Sequence, residues 1–161
     1  MVIGLAQAEA APPVATGQAA HAAPGARAEA PAPRPADQTI RATLATWVAD
    51  FNAGRADRVC SLFATDLRAT YRGYPERNYQ ETCDLLRQSL TDEGRGFNYG
   101  FDVQEVLVSG DLAVARLVWQ LTITPHDGSV ATTSQEPGMD VFRRQADGSW
   151  KIIRYLAFEA P

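Results

Sequence analysis

In the run Met139-Asp140-Val141-Phe142 a single carboxylate interrupts apolar residues. A carboxyl group held among apolar side chains has its pKa raised by desolvation, which suits it to give up a proton or donate a hydrogen bond. Asp140 is therefore the candidate catalytic residue. The alternative is an exposed carboxylate paired with Arg116 or Arg154. Tyr71, Tyr74 and Tyr99 offer hydroxyls for orienting a ligand, and Trp47 and Trp119 offer flat apolar walls. Arg72, Arg116 and Arg154 are candidate partners for an anionic group. Glu136 and Asp50 are alternative acid/base groups. The ligand-binding set read from the sequence is Trp47, Tyr71, Tyr99, Trp119, Asp140 and Arg154.

Cys60 and Cys83 both fall on apolar faces of expected helices. In an oxidising compartment they form a disulfide that stabilises by roughly 3 kcal/mol in the loop-entropy model; in the cytosol they are two small buried thiols. No Cys-x-x-Cys is present, and the two histidines are His21 and His126. A Cys/His zinc site is not expected, and no cofactor is implied.

These residues need elements to position them. Ile40, Leu44, Trp47 and Phe51 share one helical face, so a helix is expected over 37–53, with Asp37 as N-cap and Gly54 beyond its end. A short second helix is expected over 56–64, a strand over 67–72, and a third helix over 78–92. Glycine turns at Ser109-Gly110-Asp111, His126-Asp127-Gly128 and Ala146-Asp147-Gly148 then divide the rest into strands near 97–108, 112–125, 131–145 and 149–159. From Ala113 to Ile123 apolar and mixed residues alternate, the pattern of a sheet covered on one side. Pro137 or Gly138 is the expected place for a bulge or bend. The fold class is α+β: three N-terminal helices packed on a strongly curved antiparallel meander sheet, a cone-shaped α+β barrel whose cavity is a ligand site.

The chain has 161 residues, is 45% hydrophobic and 21% charged, and carries a net charge of -4. An acidic chain of this kind is unsuited to neutralising phosphates, so nucleic acid is not an expected partner. No apolar run approaches the roughly 20 residues that span a bilayer, so no membrane partner is expected. Residues 1–37 include 14 Ala and 6 Pro and no aromatic residue. Such a stretch cannot bury enough apolar surface to offset its ordering entropy, and is read as a disordered tail ahead of a domain over 38–161. Ala6-Gln7-Ala8 and Ala8-Glu9-Ala10 match a signal-peptidase site. There is no basic n-region, however, and Val2 to Leu5 is too short for an apolar h-region, so the tail is read either as the remnant of an export signal, with a periplasmic or secreted location expected, or as an Ala-rich tail only, with the cytoplasm as the alternative.

Three stretches carry a family resemblance: DFNAGRADRVCSLFATDLRATYRG, SGDLAVARLVWQLT and MDVFRRQADGSWKIIRYLAF. Together they resemble the nuclear transport factor 2-like, or cone-fold, superfamily and its SnoaL-like and ketosteroid-isomerase-like members. The resemblance implies the cone fold, a small hydrophobic or aromatic ligand, and a homodimer. Laid through Asn52-Ala53-Gly54 and Leu62-Phe63-Ala64, the ketosteroid isomerase pattern puts its oxyanion Tyr at Trp47, its base at Tyr71 and its protonated Asp at Asp140. An indole N–H can donate a hydrogen bond, but a phenol with a pKa of about 10 is a poor base. Steroid-type isomerisation is therefore not expected. Three functions follow: a small-molecule-binding domain; an isomerase, cyclase or dehydratase using Asp140; and a non-catalytic dimeric interaction module.

Overall fold

The computed structural model describes residues 34–160. Most of the expected tail, including the small-x-small sites, lies outside them. Helix α1, Ala36–Asn52, takes in the last two residues assigned to that tail. It opens with the N–H of Thr39 on the carbonyl of Pro35, so Asp37 sits in the first turn rather than at the cap. Ile40, Leu44, Trp47 and Phe51 are buried on one face. Gly54 follows with φ +71, the left-handed geometry that ends a helix without a Cβ penalty.

The expected second helix does not form. Residues 55–63 are linked by i→i+3 bonds, from Arg58 N to Arg55 O, Ser61 N to Arg58 O and Phe63 N to Cys60 O. The carbonyl of Val59, which an α-helix would offer to the N–H of Phe63, instead accepts the indole N–H of Trp47 at 2.7 Å. Val59, Cys60, Leu62 and Phe63 are still buried. Among the described residues the fold therefore has two helices. The other, α2, is Tyr79–Leu90, started by a capping box in which Asn78 and Glu81 each bond the other's backbone N–H.

The strands are β1 Phe63–Tyr71, β2 Arg77–Asn78, β3 Arg95–Ser109, β4 Leu112–Pro125, β5 Thr132–Arg144 and β6 Trp150–Ala157. They form one curved six-stranded sheet in the order β2-β1-β6-β5-β4-β3, and with the helices make an α+β fold. The last four strands are the expected meander, but β1 pairs parallel to β6, so the sheet is not wholly antiparallel. Register shifts fall between Val103 and Glu105 and between Val141 and Phe142, and such shifts bend and twist a sheet. The β4 ladder runs unbroken through Pro137 and Gly138, so the expected bulge is not there. Gly138 marks a close approach instead: a Cβ on it would run into the carbonyl oxygen of Leu156.

On the inner sheet face Ala113, Ala115, Leu117 and Trp119 are buried, with α1 and the turns of 55–62 packed against them in one core. The Asn52 side chain bonds both backbone groups of Tyr99, each at 2.8 Å, and so pins the end of α1 to β3. Cys60 and Cys83 are joined, with Cα atoms 5.5 Å apart, which ties α2 to the chain leading into β1. Among the described residues no helix is long and apolar enough to cross a membrane, and no cluster of three or more His, Cys, Asp or Glu is placed to hold a metal.

Candidate ligand site

A cavity of about 460 Å³ opens between the sheet's inner face and α2. Trp47, Tyr99 and Trp119 form one wall, and their centroids lie 5.4 to 6.1 Å apart. Leu121 and Ile123 extend it along β4, and Thr82, Leu85 and Leu86 of α2 close the other side. Tyr71, Tyr155 and Glu136 supply polar groups, and Glu159 and the exposed Tyr74 also border the cavity. The guanidinium of Arg77 lies 5.5 Å over the Tyr74 ring.

Glu136 is the buried carboxylate of this cavity, 8% exposed. It sits opposite Trp119 in the β4–β5 ladder. The Tyr155 hydroxyl donates to its Oε2 at 3.5 Å. Burial raises its pKa, hydrogen bonds from Tyr71 and Tyr155 pull it back, and the nearby Glu159 raises it again. The hydroxyls respond in kind. Tyr71 is pushed up to about 12, first by burial and then by Glu136, which takes it further from the role of a base. Tyr99 and Tyr155 are also raised, chiefly by burial.

Asp140 is placed differently from the sequence expectation. It shares the inward face of β5 with Glu136 but is fully buried and is not on the cavity wall. The reason is Trp119, whose ring lines the cavity while its N–H donates to Asp140 Oδ2 at 3.3 Å from behind. The other oxygen, Oδ1, has no partner. Burial pushes the carboxyl up to about 8. Trp47 also faces the cavity with its ring only, since its N–H is held by Val59 and is not available as an oxyanion donor.

Arg154 is outside the site. Its side chain is on the outer face of β6, bonded to the carbonyls of Asp66 and Ile153. Arg116 is also outside, bonded to Gln104 and 3.7 Å from Glu105. Asp50 is buried at the end of α1 and paired with Arg55 at 2.6 Å. The cavity thus brings together Trp47, Tyr71, Tyr99 and Trp119 of the expected set, with Glu136 as the carboxylate. Tyr155, Glu159 and Thr82 had no sequence signal: Tyr155 reaches Glu136 only because β6 pairs with β5 across a bulge.

A family model described as a SnoaL-like domain matches residues 44–155. No curated protein matches the sequence. Among solved structures, a conserved protein from Planctomyces limnophilus is similar at 19% identity and a TM-score of 0.71, over 78% of this chain and 96% of that one. A ketosteroid isomerase-like protein from Erwinia carotovora is similar at 24% identity and a TM-score of 0.63, over 77% and 96%. A type 2 hexachlorocyclohexane dehydrochlorinase is similar at 14% identity and a TM-score of 0.64, over 78% and 85%. At these identities the likeness is one of fold.

Proposed function

Because the chain belongs to the SnoaL-like domain family, we propose that its cavity binds one small, largely apolar or aromatic molecule, oriented by Glu136. One observation carries this reading: seven aromatic side chains line a cavity of about 460 Å³ that also holds a single deeply buried carboxylate. Apolar walls with few converging polar groups are the usual form of a small-molecule site. The test is thermal denaturation with alkylbenzenes, alkylphenols and phenylalkylammonium ions. A ligand that binds only the fold raises the midpoint with concentration. Ala69→Trp, which puts an indole on the cavity lining opposite Tyr155, is expected to abolish the shift. No shift with any compound, or an unchanged shift in Ala69→Trp, contradicts the reading.

A second reading is an isomerase-, cyclase- or dehydratase-type enzyme in which Glu136, rather than Asp140, moves the proton. It is supported by the raised pKa of a cavity carboxylate flanked by two hydroxyls. Turnover of a carbon acid that is lost in Glu136→Gln and kept in Asp140→Asn is the expected result.

The outer sheet face supports a homodimer. Leu107, Leu112, Met139 and Leu156 are exposed there, crossed by the Arg116–Glu105 pair, so the face carries apolar groups and both charges. A two-fold contact needs that self-complementarity. The Cys60–Cys83 pairing supports a periplasmic or secreted location, where disulfides persist.

A further inference from the structure

Building on the reading of the cavity as a ligand site, we propose that its ligand carries a positive charge: an aromatic or apolar ammonium whose head group meets Glu136 within the ring-lined cavity.

Glu136 lacks a charged partner. Among the described residues Glu136 takes part in none of the ion pairs, whereas Asp50, buried at the end of α1, is paired with Arg55 at 2.6 Å. A buried carboxylate without a cation is costly and either takes up a proton or waits for a positive group. The groups that face Glu136 supply no charge of that sign. They are Tyr71 from β1, Tyr99 from β3, Trp119 from β4, Tyr155 from β6, and a second acid, Glu159, beyond β6. Arg77 is the cation on the cavity lining, and it lies over the Tyr74 ring.

The walls also suit a cation. Trp47 meets Trp119 at 77° and Tyr99 meets Trp119 at 81°. Packed edge to face, these rings make one aromatic wall against which a cation in the cavity can lie. Cation–ring attraction strengthens when water is excluded. An anion would face Glu136 and Glu159 together. A neutral carbonyl would find the Tyr155 proton directed at Glu136. Thr82 on α2 adds a lining hydroxyl, buried and without a partner, that can accept from a protonated amine.

The test uses two probes of one shape, phenyltrimethylammonium and tert-butylbenzene, titrated against tryptophan fluorescence. The cation is expected to bind at least about tenfold tighter than the neutral probe. Glu136→Gln is expected to lower its affinity about tenfold and to leave the neutral probe unchanged or improved. Because this cation does not titrate, its affinity for the wild-type protein is expected to rise with pH as Glu136 ionises, which tests the proposal without a variant. Equal or tighter binding of tert-butylbenzene, or a cation affinity that falls with pH, overturns the charge and leaves the cavity reading standing. Binding of neither probe overturns both.

Discussion

Glu136 and Asp140 stand on one face of β5 and meet different surroundings. Glu136 has two tyrosine hydroxyls and an open cavity; Asp140 has one indole N–H and an oxygen with no partner. Burial keeps Asp140 protonated in the fold up to about 8, against 3.8 ordinarily. Below about pH 4 both folded and unfolded chains carry that proton. Between about pH 4 and 8 the unfolded chain binds fewer protons, so stability falls as pH rises, with a limiting slope of about 1.4 kcal/mol per unit. Above that range the loss is complete. Asp140→Asn keeps an acceptor for Trp119 and does not titrate. Its stability relative to the wild type, measured by urea unfolding, is expected to increase from pH 4 to pH 8. A constant difference would contradict the buried, protonated state. Asp140 was legible as an odd carboxylate in an apolar strand. Its depth was not, because that depends on which side of Trp119 it lies.

At the scale of elements, the site depends on two attachments. Asn52 holds Tyr99 by two hydrogen bonds between side chain and backbone. Asn52→Ala is expected to cost about 1–3 kcal/mol at roughly 0.5–1.5 kcal/mol per net bond, and to weaken ligand binding as the Tyr99 wall shifts. An unchanged unfolding midpoint would show that the clamp contributes nothing. Cys60–Cys83 holds α2, whose Thr82, Leu85 and Leu86 close the cavity. Intact mass is expected to rise by about 2 Da on reduction, with a loss of roughly 3 kcal/mol in stability and weaker ligand affinity. No mass change would show free thiols. The meander strands were legible because left-handed glycines at 110, 128 and 148 end them. The short second helix was misread because a distant indole takes the Val59 carbonyl, and sequence periodicity does not report that competition. The parallel pairing of β1 with β6 joins segments far apart in the chain and has no local signature.

At the largest scale, the sheet of the described residues has an inner face that forms the core and cavity and an outer face with exposed apolar groups. The helix-then-strands order gave away the α+β class and the cone-like curvature, but not how deep each side chain sits. If the outer face is the dimer contact, Met139→Asp, at an exposed position, is expected to turn a dimer into a folded monomer in light scattering, with ligand binding kept. A dimer that persists would place the contact elsewhere. The most direct test of the account as a whole is one ligand titration, with phenyltrimethylammonium as probe and tryptophan fluorescence as signal, run on wild type, Glu136→Gln and Asp140→Asn. The account predicts that Glu136→Gln loses about tenfold in affinity while Asp140→Asn binds like the wild type. Loss in Asp140→Asn with binding kept in Glu136→Gln would contradict it.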